Sequence, residues 1–264
     1  GLNSPFTWKG SGKVVFGAPP EAVKVRYQQW HAKELNAPVA TTLEATVKAA
    51  LKMVTPGAER SGGECQVPLF IWRLPSFQAW YKAQTDAGNR LDGATVEYTS
   101  RMKNGQPFLW ILWMDVHIAS EGRNKTNEFV IGRPDISAVV LWHRQETMAD
   151  TEVVLVREFR SPARTPDAFI WELPAGSSKE TTPPIQTALE ELWEETGVKL
   201  PEERLKAHPF RQNAGTLSSF GAHVFSAEIT DAELADIRTK MGVARGVEGD
   251  SERCFIEIET MGDL

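Results

Sequence analysis

The sequence has few of the residues that mark a specialised class of protein. Its 264 residues include two cysteines and five histidines, and acidic residues outnumber basic ones by 35 to 29. Cys65 and Cys254 lie far apart without the spacing of metal ligands. We therefore expect two free thiols in a reducing compartment such as the cytoplasm. The net charge of −6 excludes a general basic footprint for nucleic acid, although a local basic strip remains open.

Long apolar runs are also missing. No stretch reaches the roughly 18 residues of a membrane-spanning helix, and the N-terminus shows no secretory signal. The chain begins with Gly1 rather than Met, which is consistent with the removal of a targeting segment. Hydrophobic residues make up 41% of the chain, enough for one large core or two smaller ones.

The first part of the chain, residues 1–95, predicts a small and mostly helical module. Apolar residues recur at helical spacing in three segments. Ser76 is the predicted cap of the third helix and Gly88 its end. An apolar segment before it predicts a strand or a buried connector. The predicted helices are residues 19–36, 41–54 and 76–89, and the strand or connector is residues 66–75.

From residue 96 onward the pattern changes to strands, which predicts a second domain over residues 96–264. Asn104 and Gly105 separate two apolar runs, a strong signal for a hairpin. Strands around one long helix indicate an α+β (mixed α/β) domain. The further strands are predicted over residues 127–132, 135–144, 151–160, 168–176, 221–229 and 253–259, and the helices over residues 184–196 and 230–242.

Four carboxylates occupy six positions of the helix over residues 184–196: Glu190, Glu191, Glu194 and Glu195. Like charges one turn apart weaken a helix by a few tenths of a kcal/mol per pair. Either this face is simply solvated, or a cation binds there. Carboxylate oxygens suit Mg²⁺ or Mn²⁺. Such an ion would remove the repulsion, neutralise a diphosphate and activate water.

Gly176 and the segment from Glu191 to Val198 (ELWEETGV) resemble the Nudix box, G-x5-E-x7-R-E-U-x-E-E-x-G-U, in which U is aliphatic. The preceding "VVLVREFR" and "WELPAG" are similar to the ADP-ribose pyrophosphatase branch of the Nudix hydrolase superfamily. The resemblance covers residues 125–259. It implies a Nudix-type α/β/α sandwich after the helical module. It also implies hydrolysis of the pyrophosphate bond in a nucleoside diphosphate linked to X, where ADP-ribose or a nucleotide sugar is the favoured substrate.

The resemblance also implies roles for individual residues. Glu191 and Glu195 serve catalysis, and an acidic loop before the last strand supplies the general base. The best-registered base is Glu252, with Glu248 and Asp250 as alternatives, although the loop could simply be exposed. The implied ligands of Mg²⁺ or Mn²⁺ are the carbonyl of Ala175 and the carboxylates of Glu191, Glu194 and Glu195.

Two arginines are implied to bind substrate. Arg160 matches the arginine of the family's QFR segment, and Arg133 matches an arginine ahead of the first core strand. A structural salt bridge is the alternative for each. His143 and His223 lie in predicted strands, where a structural role is favoured.

The box departs from the family pattern at two positions. Thr182 replaces a glutamate, and Glu190 replaces the arginine that usually orients the box carboxylates; Arg157 or Arg160 could take over that task. Phe220 also falls where the family often has a glutamate. These departures support an alternative function: a catalytically weak or inactive Nudix-like module that binds a nucleotide or an RNA 5′ end, alone or within a larger complex. Hydrolysis at RNA 5′ ends is a third hypothesis, which the acidic net charge disfavours.

The implied partners are a nucleotide and a second copy of the chain. Relatives in this branch form dimers by exchanging N-terminal strands, and the hairpin that includes residues 107–116 could serve that purpose here. RNA or a protein partner stays open, whereas a membrane is not expected. Trp193 is predicted to pack against the other module or against a partner subunit.

Overall fold

A computed structural model describes residues 60–103, 105–178, 182–246 and 253–264. Residues Ser61–Leu264 form one compact unit. The helices predicted over residues 19–36 and 41–54 lie outside the described residues. Strand β1 (Arg90–Arg101) runs across the predicted domain boundary between residues 95 and 96.

Among the described residues, two α-helices precede the first sheet, α1 (Leu69–Trp72) and α2 (Pro75–Asp86), after a 3-10 helix at Gly62–Gln66. Residues 66–75 were predicted to be a strand or a buried connector, and the strand is wrong, because an apolar run without alternation does not distinguish a strand from a helix. The cap predicted at Ser76 is also wrong. Leu74 is the N-cap, while the Ser76 hydroxyl accepts a hydrogen bond from the Trp110 indole at 3.1 Å.

The first sheet is an antiparallel meander of β1, β2 (Pro107–Ile118) and β3 (Arg123–Gly132). The predicted hairpin between β1 and β2 is confirmed, and Gly105 in its turn has a φ of +85°. Alternate side chains of β2 are buried against the preceding helices. This first core contains Ile71, Phe77, Trp110, Leu112 and Met114.

Within the described residues, the second sheet has eight strands, and β4 and β10 pair in parallel at its centre. Its main path runs β11-β5-β4-β10-β8, while β6 pairs with β5, β7 with β4 and β9 with β10. The strands are β4 (Ile136–His143), β5 (Glu152–Phe159), β6 (Phe169–Glu172), β7 (Ala175–Ser177), β8 (Lys206–Ala207), β9 (Arg211–Gln212), β10 (Gly221–Glu228) and β11 (Cys254–Thr260).

Helix α3 (Pro184–Thr196) carries the acidic segment, and its predicted span is confirmed. Its buried face, Ala188 and Leu192, packs in a second core with side chains of β4, β5, β10 and β11. Helix α4 (Asp231–Lys240) is capped by Thr230, whose hydroxyl accepts a hydrogen bond from the Glu233 backbone N–H. The predicted α+β class is confirmed.

Two further expectations from composition can be compared with the structure. Cys65 is exposed, Cys254 is buried, and both are free thiols as expected. In the part of the chain that the structure describes, every helix falls short of the length and hydropathy that a membrane crossing needs.

Candidate active site

Two carboxylates of α3 lie against the backbone of β7. A carboxylate oxygen of Glu195 accepts the Ala175 backbone N–H at 2.9 Å. Glu191 lies so close to Gly176 that a Cβ at this position would overlap its carboxylate. Residues four apart share a helix face, so one face of α3 places both carboxylates on one short strand. The glycine is required here for close approach rather than for an unusual backbone angle.

The strand below these carboxylates is held by the centre of the second sheet. β7 pairs antiparallel with β4, with Ala175 opposite Ala138 and Gly176 opposite Ser137. The Val139 N–H donates to the Pro174 carbonyl at 2.9 Å. β7 and α3 therefore both pack on the central strand β4, and this fixes the distance between β7 and α3.

Cations stabilise the C-terminal end of α3. Gly197 ends the helix in the left-handed region, with φ +68°. Lys240 donates to the Gly197 carbonyl at 3.0 Å, and the Arg245 guanidinium lies directly against the Cα of Gly197. Positive charge at this end complements the helix dipole. Trp193 is 45% exposed, and the Lys199 ammonium lies 4.1 Å from the centre of its ring.

A buried carboxylate beside this site was missed by sequence reasoning. Glu158 is only 6% exposed and forms an ion pair with Arg160 at 3.0 Å. Burial, followed by the negative charges of Glu195 and Glu158, raises the pKa of the Cys254 thiol to about 12. Glu158 thus lies in the same charged region as Glu195. The sequence offered a signal for this residue, because Glu158 and Arg160 are two apart within the strand predicted over residues 151–160 and would share one face of it.

The two arginines predicted to bind substrate have different partners. Arg160 forms a second ion pair with Glu172 at 2.7 Å. Arg133 donates to the Ser177 hydroxyl, and its guanidinium carbon lies 5.0 Å and 5.4 Å from the rings of Phe108 and Phe220. Phe220, at the position where the family often has a glutamate, therefore contacts a predicted substrate arginine.

Three further residues from the sequence analysis can be located in the structure. His143 lies 2.8 Å from a carboxylate oxygen of Asp231, in agreement with a structural role. His223 lies 3.8 Å from Asp135. Glu194 is exposed. The candidate bases Glu248, Asp250 and Glu252 lie outside the described residues.

Comparison with known families agrees with this arrangement. Residues 133–237 match the family model of the NUDIX domain. The chain carries a Nudix domain. The match includes Arg133, Arg160, β7 and α3, whereas the first sheet and residue 252 lie outside it. A search of curated proteins finds no match to the chain. Nudix domains hydrolyse derivatives of nucleoside diphosphates, generally with divalent metals such as Mg²⁺.

The donor groups of this Nudix domain suit such a metal. The carboxylates of Glu191 and Glu195 lie against β7, and the backbone of that strand adds carbonyl oxygens. Among the described residues, no three acidic, histidine or cysteine side chains converge closely enough to form a complete metal site. Mg²⁺ usually keeps several waters and takes one or two protein carboxylates together with substrate phosphates.

The departures of the Nudix box can also be located. Glu190, in the place of the usual arginine, is exposed on α3. Of the arginines considered as its substitutes, Arg157 forms ion pairs with Asp167 and Glu257, and Arg160 with Glu158 and Glu172. The Ala175 N–H also binds Glu195, and Gly176 leaves room for Glu191.

Proposed function

We propose that the Nudix domain hydrolyses the pyrophosphate bond of a nucleoside diphosphate linked to X, with ADP-ribose or a nucleotide sugar as substrate. ADP-ribose would give AMP and ribose 5-phosphate. The observation that carries this proposal is the placement of Glu191 and Glu195 against Ala175 and Gly176. The two free thiols support a reducing compartment such as the cytoplasm.

The carboxylates of α3 would hold the metal. Glu191, Glu195 and the Ala175 carbonyl supply oxygen donors, and the exposed Glu194 is a further candidate. Bound Mg²⁺ or Mn²⁺ supplies neutralisation of the diphosphate and activation of water. The fixed β7 backbone orients the carboxylates before substrate arrives, which avoids reorganisation during the reaction.

Arg133 and Arg160 would position the substrate. A guanidinium forms strong, directional hydrogen bonds with phosphate oxygens. Arg133 contacts Ser177 on the same short strand that supports the carboxylates. Arg160 is held by Glu158 and Glu172, so binding of a phosphate there would exchange one anionic partner for another.

Proton removal from water is proposed for Glu252, with Glu248 and Asp250 as alternatives. All three precede β11, whose first residue, Cys254, pairs with Glu158 in the sheet. The loop is therefore attached to a strand that lies beside the site. A carboxylate near the attacking water can act as a general base if it reaches hydrogen-bond distance.

A second candidate is a Nudix module that binds a nucleotide or an RNA 5′ end without turnover. Two departures from the box favour it: Thr182 stands in place of a glutamate, and the exposed Glu190 stands in place of the arginine. Phe220 against Arg133 adds a third departure. In this hypothesis Glu191 and Glu195 stabilise the fold and take no part in catalysis.

Product analysis by chromatography separates the two candidates. The full chain would be incubated with Mg²⁺ or Mn²⁺ and with ADP-ribose, NADH, nucleotide sugars, dinucleoside polyphosphates or 5′-triphosphate RNA. We expect metal-dependent release of AMP from ADP-ribose, or of a nucleoside monophosphate from a nucleotide sugar. Binding without product from any substrate would support the module instead.

A further inference from the structure

Arg245 joins the C-terminal end of α3 to the start of β11. Its backbone N–H donates to the Cys254 carbonyl at 2.9 Å, and its carbonyl accepts the Cys254 N–H at 3.0 Å. Its guanidinium reaches the helix, where Nη2 lies 3.5 Å from the Trp193 carbonyl oxygen and would lie 2.6 Å from a Cβ at Gly197. Arg245 is outside residues 133–237, the range that matches the Nudix family.

The Cys254 thiol shows which charges surround this link. Burial, followed by the carboxylates of Glu195 and Glu158, raises the pKa of the thiol, and Arg245 opposes them. Arg245 and Glu195 therefore act on the same sulfur atom. Because Glu195 is the carboxylate that accepts the Ala175 N–H, the guanidinium belongs to the charged region around a box carboxylate.

The position of this guanidinium needs a compensating interaction. Arg245 Nε is buried and has no hydrogen-bond partner among the described residues. A buried donor without an acceptor destabilises the folded chain. Attraction to the carbonyl end of α3 and to the nearby carboxylates offsets that cost. Charge and packing therefore hold the side chain here, without a complete set of hydrogen bonds.

The last turn of α3 sets where one box carboxylate lies. Glu195 is the penultimate residue of the helix, and Gly197 ends it. The box has lost its own arginine, because Glu190 occupies that position and is exposed. A side chain that fixes the last turn can therefore orient Glu195 from outside the box.

We propose that Arg245 is a positioning residue that takes over the task of the missing box arginine. It ties the last turn of α3 to the start of β11 and so keeps the Glu195 carboxylate on the Ala175 N–H, in place to bind a divalent cation. Groups that orient a metal ligand affect metal affinity although they do not touch the metal. The metal rests on the proposed function, whereas the contacts of Arg245 do not.

Binding of Mn²⁺ to the full chain without substrate, measured by electron paramagnetic resonance, tests this role. Loss of a positive charge alone should strengthen the binding of a divalent cation, whereas loss of positioning should weaken it. We expect Arg245→Met to weaken Mn²⁺ binding at least about tenfold. Glu195→Gln should weaken it as well, which assigns the signal to this site.

Lys240→Met is the matched control. Lys240 places a second cation at the same helix end, on the Gly197 carbonyl at 3.0 Å, and pairs with Asp236 on its own helix. Its loss should leave the Mn²⁺ affinity unchanged or slightly higher.

Urea unfolding separates positioning from stability, because a merely structural role would lower the free energy of unfolding and leave the Mn²⁺ affinity of the folded chain unchanged. If Arg245→Met does not fold, Arg245→Lys takes its place. Lysine keeps the charge but not the planar group, so Arg245→Lys should weaken Mn²⁺ binding in the same direction.

Three results would overturn the inference. They are a Mn²⁺ affinity in Arg245→Met equal to or higher than that of the unaltered chain, equal weakening in Arg245→Met and Lys240→Met, and no Mn²⁺ binding by the unaltered chain. The last result would also reject the proposed metal-dependent hydrolysis. Conversely, weaker binding in Arg245→Met with no turnover of any nucleotide would support the positioning role and reject the hydrolase.

Discussion

At the scale of single residues, the site depends on close approach between Glu191 and Gly176. A methyl group at 176 would overlap the carboxylate. We therefore expect Gly176→Ala to displace Glu191 and lower kcat for the proposed hydrolysis at least about tenfold, since misplaced catalytic groups lose much of their effect. Steady-state kinetics with ADP-ribose and Mg²⁺ would measure the change.

Gly105→Ala is the control for that prediction. Gly105 lies in the β1–β2 turn with φ +85°, and a methyl group there would meet nothing within 4 Å. Its left-handed backbone should cost about 1 kcal/mol of stability without a loss of rate. Equal rates for Gly176→Ala and the unaltered chain would contradict the role assigned to the glycine.

The sequence was sufficient to predict the box carboxylates but not all their neighbours. Glu191, Glu195 and Gly176 belong to one spaced sequence pattern. Glu191 and Glu195 are four residues apart, so a helix necessarily places them on the same face. Glu158 carries no such pattern, because its importance comes from contact with a distant strand: Glu158 is opposite Cys254. Such a pairing is fixed by sheet topology, which a local pattern does not encode.

At the scale of elements, the end of α3 illustrates what a glycine contributes. Gly197 has φ +68°, and Arg245 occupies the space next to its Cα. Gly197→Ala should lower the free energy of unfolding by about 2 kcal/mol, through backbone strain and displacement of the guanidinium. Urea unfolding would measure the loss.

Gly242→Ala provides the matched comparison. Gly242 has a similar φ of +75°, but a methyl group there would meet nothing within 4 Å. In Gly242→Ala, backbone strain alone should lower the free energy of unfolding by about 1 kcal/mol. Equal losses in Gly197→Ala and Gly242→Ala would show that the contact with Arg245 contributes nothing.

The start of α4 makes stability depend on pH. The hydrogen bond from Arg204, aided by Thr230, lowers the pKa of Glu233 to about 2. A lowered folded-state pKa adds stability above the unfolded value of about 4.5, and this is lost as the pH falls towards 2. Glu233→Gln keeps a capping group but removes the charge. This substitution should lower the free energy of unfolding by about 1 kcal/mol at pH 7.

Urea unfolding at pH 7, 4.5 and 3 would test the pH dependence. The difference between the unaltered chain and Glu233→Gln should shrink as the pH falls below 4.5. Glu203→Gln, at an exposed neighbouring position, should show little difference at any pH. A Glu233→Gln difference that stays constant from pH 7 to pH 3 would contradict the assigned pKa.

Elements with clear boundary signals were predicted well. Pro184 and Gly197 delimit α3 in the sequence as they do in the structure, and Gly105 marks the hairpin. Residues 66–75 were harder, because "PLFIW" is apolar throughout and offers no periodicity. Pro68 and the carbonyl that it presents to Trp72, at 2.9 Å, begin a helical turn there. Local hydrogen bonding decides such a segment where hydrophobicity does not.

At the scale of the whole molecule, the two sheets are joined near the proposed site. The Ile131 N–H donates to the Leu217 carbonyl at 2.8 Å, and its own carbonyl accepts the Ser219 N–H at 2.9 Å. The end of β3 thus pairs with the loop before β10. These main-chain hydrogen bonds join the first sheet to the Nudix domain.

We also predict a homodimer. In the first sheet, β2 is paired on both sides. Among the described strands β1 lies at an edge; it has 12 residues, and Val96 and Tyr98 are exposed on it. Long edge strands with exposed apolar side chains favour pairing with another chain. Light scattering coupled to size exclusion should give twice the chain mass. A monomeric mass at micromolar concentration would contradict this prediction.

The central claim is that the carboxylates of α3 on β7 carry out hydrolysis despite the departures at Thr182 and Glu190. The most direct measurement is kcat for AMP release from ADP-ribose with Mg²⁺, in the unaltered chain, Glu195→Gln and Glu190→Gln. We predict turnover in the unaltered chain, a loss of at least about a hundredfold in Glu195→Gln, and retained activity in Glu190→Gln. Equal rates in Glu195→Gln and the unaltered chain, or no AMP from the unaltered chain, would contradict the claim.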